Sequence, residues 1–228
     1  MDPLILLDQA VAQEKVPRAV AKKVRLHMKL VQGAVLRVEK ASGLRYPPYY
    51  VEPSLPVSKT GAEYGQMGLL FARVIPTTAT GNLVILIQFS AALVAYGTKG
   101  TIEAVAAHEF THYVDLVRRI TTGEITSDER TTTLFQASFE DAGRTVPPKL
   151  LFSDRSLVGL ITRKFKDALN DPALSKKVGD QWVAKNLPIH WVVPEENVVK
   201  IPMEVAAAAR FDPALLARVE GLKEKTKS

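Results

Sequence analysis

Apolar residues recur at spacings of three and four through Val20, Val24, Met28, Val31, Val35 and Val38. That spacing predicts one stripe of a long amphipathic helix, with Pro17 suited to its start and Gly43 to its end. Residues 44–65 are rich in Pro, Tyr, Ser and Gly and read as loop, with a short extended piece around Tyr49 to Val51. Gly68 to Ile75 and Asn82 to Phe89 read as strands on either side of a turn at Thr77 to Gly81. Together they predict an antiparallel hairpin with a longer loop. After Gly97 and Gly100 the pattern turns helical, with Thr101 as the expected N-cap, Glu103 in the first turn and an end near Ile120. Further helices are expected over Asp128 to Ala142, Ser156 to Leu169 and Pro172 to Lys185. Pro188 and Pro194 break the extended or irregular segment Leu187 to Lys200, and a short helix is expected from Pro202 and a last one from Pro213. A small sheet near the middle with helices around it is an α+β fold.

Composition narrows the chemistry. A chain of 228 residues that is 46% hydrophobic and 24% charged suits one compact domain with a sizeable core. It contains no cysteine, so a metal would be held by His, Asp or Glu. The net charge of +6 is spread over groups at Arg18 to Arg25, Arg163 to Lys166 and Lys223 to Lys227. These read as solvated helix faces, and no nucleic-acid motif surrounds them. The apolar run Leu4 to Leu7 is too short for a signal-peptide core, and Leu83 to Tyr96 is too short to span a bilayer. The expectation is a soluble, cytoplasmic protein without a membrane partner.

One motif carries chemistry. Ala107-His108-Glu109-Phe110-Thr111-His112-Tyr113 contains H-E-x-x-H. On a helix, residues four apart are neighbours, so two imidazoles at that spacing reach one ion. A catalytic zinc needs at least one further protein ligand and keeps one position for water, whose pKa it lowers. A carboxylate beside the first histidine can take that proton. With His108 set at zero, His112 lies about 40° away and Asp115 about 20° to the other side. Ile102, Val105, Ala106, Phe110, Tyr113, Leu116 and Val117 fill an arc from about 60° to about 200°. The helix therefore has an apolar side to bury, with both histidines together just outside it.

This segment resembles the zincin metallopeptidases, as does its approach through a strand and a connector into the motif helix. The resemblance implies a zincin-like fold over residues 17–121: a long backing helix, a small and mostly antiparallel sheet, and an active-site helix. It divides the chain into an upper subdomain, 1–121, and a helical lower subdomain, 122–228, that carries the third ligand. It also implies that an extended substrate binds one sheet edge by strand addition. Metzincins continue the motif with a glycine and a third histidine, whereas Asp115 and Arg118 stand at those positions here. That leaves the gluzincin type, in which a glutamate from a later helix is the third ligand.

Three glutamates are candidates. Glu129 falls in the first turn of its expected helix, where an acid also complements the dipole. Glu140, near the end of the same helix, stands at a spacing that suits a compact gluzincin. Glu204 opens a helix and is followed by Val205 and then alanines from Ala206 to Ala209, small residues that let one helix pack closely on another. This resembles the glutamate helix of several gluzincins, although Ala208 stands where their second acid is common. Glu204 leads this set.

Asp115 could orient an imidazole or pair with Arg118 or Arg119. His190 is a candidate for stabilising an oxyanion, or an ordinary loop histidine. His27, Tyr113, Trp182 and Trp191 read as structural. The expected protein is a zinc metallopeptidase acting on a peptide or protein. Its metal is held by His108, His112 and Glu204, and Glu109 acts as the base. A zincin-like binding module without activity is the first alternative, and a basic nucleic-acid-binding protein with an incidental motif is the second.

Overall fold

The structure is a computed structural model and describes residues 2–59, 67–122, 145–165, 169–192 and 203–225. The fold is α+β. A short helix α1 (Ile5–Ala12) precedes the long helix α2 (Arg18–Ser42). Pro17 is the N-cap of α2, and Gly43 ends it in the left-handed conformation at φ 70°, its N–H donating to the Glu39 carbonyl at 2.8 Å. Val24, Met28, Val31, Val35 and Val38 are buried, so the apolar stripe is the packed face.

Two small mixed sheets follow. The first has the order β1-β5-β4, from β1 (Tyr49–Glu52), β4 (Ala72–Ala79) and β5 (Asn82–Ser90). β1 runs parallel to β5, with Val51 beside Phe89, and β4 runs antiparallel to β5. The second has the order β3-β2-β6, from β2 (Leu55–Lys59), β3 (Met67–Leu69) and β6 (Ile189–Val192). Here β2 is antiparallel to β3 and parallel to β6. A mostly antiparallel sheet was expected; each sheet instead contains one parallel and one antiparallel pairing, because β1 and β6 arrive by crossovers rather than hairpins.

The expected strand Gly68 to Ile75 is divided at Leu70 and Phe71, and its two parts join different sheets. The hairpin loop is tight rather than long: Ala79 pairs with Asn82, and Thr80 and Gly81 turn at φ 50° and 78°. Two positive φ values make this a type I′ turn, whose twist matches that of the strands.

From β5 the chain enters α3 (Ala91–Tyr96), a helix where only a connector was expected, and then α4 (Lys99–Thr121). The N-cap of α4 is Thr98, one turn before the expected Thr101; its hydroxyl accepts from the Thr101 N–H at 3.2 Å. Thr101 instead donates its hydroxyl to Asp171 at 2.6 Å. Glu103 therefore lies past the first turn and pairs with Arg37 of α2 at 2.6 Å.

Later elements are α5 (Pro148–Leu151), α6 (Arg155–Lys164), α7 (Pro172–Val178) with a π-helical turn at Gly179–Val183, α8 (Met203–Ala207) and α9 (Pro213–Lys225). The expected helix Asp128 to Ala142 lies outside the described residues. Ile87 and Phe89 of β5, Val51 of β1 and the buried faces of α2 and α4 belong to one core. Tyr49 meets Phe89 and Tyr46 edge-on, and Tyr46 stacks on Phe110 with centroids 5.4 Å apart, tying the first sheet to α4. Among the described residues, no helix is long and apolar enough to cross a membrane.

Candidate metal centre

Burial surrounds most of the first half of α4. Ile102, Val105, Ala106, Ala107, Phe110, Val114 and Val117 are buried, while His108 and His112 are only partly so. The helix is held against α2, α6, α9 and β4. Such an element fixes its side chains more firmly than a loop would.

His108 Nε2 and His112 Nε2 stand 3.0 Å apart. Their rings are nearly perpendicular, at 89°, with centroids 4.6 Å apart. Two imidazole nitrogens bound tetrahedrally to zinc at ordinary bond lengths stand about 3.3 Å apart. The pair therefore already converges on one point, and a metal would widen it by a few tenths of an ångström. Phe165, at the end of α6, lies flat on the His108 ring, with centroids 3.8 Å apart and planes at 9°. Burial first, and the neighbouring His112 second, push the His108 pKa down to about 3. At neutral pH His108 is therefore the neutral imidazole that a metal requires.

Glu109 is buried, at 7% exposure. Burial alone pushes its pKa up to about 8. It has no hydrogen bond or ion pair among the described residues. Its charge helps to raise the pKa of the Tyr46 phenol, although burial is the larger cause. That phenol donates to the Ala106 carbonyl at 2.9 Å. A buried carboxyl without a partner is costly unless a proton, a water or a cation joins it. Two converging imidazoles beside such a carboxyl fit a zinc ion and its water in both chemistry and spacing.

The remaining candidates are dispersed. Glu204 is exposed at the start of α8, which touches β5. Among the described residues, no group of three His, Asp or Glu side chains is placed to hold a metal, so Glu204 stands apart from the histidine pair. Glu129 and Glu140 lie outside the described residues. Asp115 is buried and accepts from Arg118 Nε at 3.0 Å. His190 is exposed on β6, beside Pro56. His27 Nδ1 lies 2.9 Å from the Val94 carbonyl and ties α2 to α3. Tyr113 is half-buried against Phe110, its phenol pushed up to about 12 by burial and then by Asp212. Trp182 is buried and donates to the Pro188 carbonyl at 2.9 Å, whereas Trp191 is 42% exposed.

Sequence reasoning missed Phe165 and Tyr46. Phe165 had no signal beyond its place in an expected helix. Tyr46 sat in a segment read as loop, where only its aromatic character stood out. The chain matches no protein-family model, no curated protein and no solved structure.

Proposed function

We propose that this protein is a zinc-dependent peptidase whose centre is built on His108, Glu109 and His112. The observation that carries the proposal is the 3.0 Å convergence of the two Nε2 atoms on a buried helix, next to the buried Glu109, which has no hydrogen bond or ion pair among the described residues. The order of elements supports a zincin-like arrangement: α2 backs α4, and β4, paired on one side only among the described residues, lies against α4. The cysteine-free composition suits a cytoplasmic setting.

His108 and His112 would hold the metal through Nε2. The third ligand is a carboxylate from Glu204, Glu140 or Glu129, and Glu204 serves only if α8 moves towards α4. Zinc would supply polarisation of the substrate carbonyl and acidification of a water. Glu109 takes a proton from the attacking water as its oxygen bonds to the carbonyl carbon. It returns that proton to the amine nitrogen as the C–N bond breaks. Its raised pKa suits both halves of this transfer near neutrality. Phe165 keeps water from one face of His108, and Tyr46 closes the side near Glu109.

The test is elemental analysis of the purified chain beside His108→Ala, Glu129→Ala, Glu140→Ala and Glu204→Ala. About one zinc per chain is expected, lost with His108 and with one of the glutamates. No metal in the unaltered chain after incubation with zinc would overturn the reading and favour a peptide-binding module instead.

A further inference from the structure

A cleft of about 370 Å³ opens where α2, α3 and α7 meet, lined by Lys23, Tyr96, Ala173, Lys176, Lys177, Asp180 and Gln181. Its size is within the range of small-molecule sites. Among the described residues, none of its three ammonium groups is paired with a carboxylate. Asp180 is the one acid in the lining, so the walls carry a net charge of +2. Lys23 Nζ sits 4.3 Å from the centre of the Tyr96 ring, which fixes it over an aromatic face.

The backbone at this cleft departs from regular helix. Gly179–Val183 forms a π-helical turn, with the Ala184 N–H bonded to the Gly179 carbonyl at 2.9 Å. Such turns are rare and concentrate at functional sites. This one buries Trp182 in the core while setting Asp180 and Gln181 on the cleft wall. The Gln181 side-chain carbonyl accepts from Lys185 Nζ at 2.8 Å, which adds another cation at the rim.

We propose that this cleft binds a phosphate-bearing small molecule, its phosphate held by Lys23, Lys176 and Lys177 and its organic part resting beside Tyr96 and Ala173. A phosphate dianion matches the net charge of the walls, and lysine binds phosphate as a point charge without needing a planar fork. The same repulsion that a dianion would relieve is visible at Lys23, whose pKa is lowered by burial and then by Lys177. The site is separate from the histidine pair, and the inference does not depend on peptidase activity.

The test is a titration of the full chain with inorganic phosphate and with pyrophosphate, followed by calorimetry and by backbone amide shifts. Three proteins are compared: the unaltered chain, Lys23→Gln/Lys177→Gln, and the control Lys29→Gln/Lys40→Gln, which removes the same charge from exposed sites on α2. Saturable binding is expected, with shifts confined to Tyr96 and residues 173–185. Affinity should fall at least about tenfold in the cleft variant and less than about twofold in the control. Equal weakening in both variants would reduce the site to general surface charge and overturn the proposal. So would non-saturable binding, or shifts centred elsewhere in the unaltered chain, and those two readings need no variant to fold.

Discussion

Phe165 and His108, far apart in sequence, stack face to face with ring centroids 3.8 Å apart. The contact joins the end of α6 to the middle of α4 and removes one face of the imidazole from water. Burial is the main reason that the His108 pKa falls to about 3. Phe165→Ala should let water reach that face. In metal-free protein the His108 pKa should then rise towards its ordinary 6.5. Following the imidazole C2–H resonance against pH measures this directly. An unchanged titration would mean that α4's other neighbours, not Phe165, keep His108 dry.

Glu109→Gln tests the proposed proton transfer apart from the proposed metal binding. The amide keeps the size of the side chain and loses the base. On the proposed mechanism, zinc content should stay that of the unaltered chain while peptide turnover falls by about two to four orders of magnitude. Turnover is measured on a mixed peptide library by mass spectrometry. Full activity in this variant would remove Glu109 from the chemistry.

The local part of this site was legible in the sequence, and the distant part was not. His108 and His112 converge because a helix places residues four apart on one face, and that follows from spacing alone. Phe165 lies in an amphipathic pattern that says which face is buried but not what it meets. Thr98 and Thr101 are both suited to cap α4; Thr98 does so because the Thr101 hydroxyl is taken by Asp171, a tertiary contact. Likewise β6 pairs with β2 across more than a hundred residues, a register that no local pattern encodes. The apolar spacing across Pro172 to Lys185 also does not distinguish an α-turn from the π-turn found at Gly179.

Arg37 holds three elements together. It pairs with Glu103 of α4 at 2.6 Å and with Asp154, the N-cap of α6, at 2.8 Å, and it donates to Ser156 at 2.5 Å. The Glu103 side chain is 8% exposed, and its other partner, the exposed Lys99, stands at 3.8 Å, so losing Arg37 would leave a poorly compensated charge in the interior. Arg37→Ala should cost about 2–4 kcal/mol, below the top of the range for buried pairs because the guanidinium is partly solvated. Arg37→Leu/Glu103→Leu should recover most of that loss, because no buried charge remains. Urea denaturation of the three proteins measures both effects. A double variant as unstable as Arg37→Ala would show that lost packing, not the stranded carboxylate, sets the cost.

Thr80 occupies a left-handed position, φ 50°, in the two-residue turn between β4 and β5. A β-branched side chain is poorly suited to that conformation, whereas asparagine adopts it readily. Thr80→Asn followed by Gly81 gives the preferred type I′ sequence. It should raise stability by about 0.5–1 kcal/mol, read as a higher denaturation midpoint with an unchanged slope. A lower midpoint would mean that the bond from the Thr80 hydroxyl to the Ala79 carbonyl, 2.7 Å, outweighs the backbone strain.

The two shifted groups of the motif predict an unusual pH profile for the metal-free chain. His108 falls from 6.5 to about 3 on folding, so the unfolded chain holds the extra proton between those values. Stability from this group is complete above pH 6.5 and is lost as pH falls towards 3. Glu109 rises from 4.5 to about 8, so the folded chain holds the extra proton between those values. Its contribution is complete below pH 4.5 and is lost as pH rises towards 8. From pH 4.5 to 6.5 the two slopes oppose each other and stability should be nearly flat. Above 6.5 Glu109 is the one of these two groups that still titrates differently, and its contribution should fall by about 2 kcal/mol by pH 8. Chemical denaturation in the presence of a chelator, at half-unit steps of pH, gives the curve. Glu109→Gln should abolish the fall above 6.5 and let the rise that begins at pH 3 run on to 6.5, because the opposing slope is gone. If the variant kept the fall, the buried acid responsible would have to be another residue.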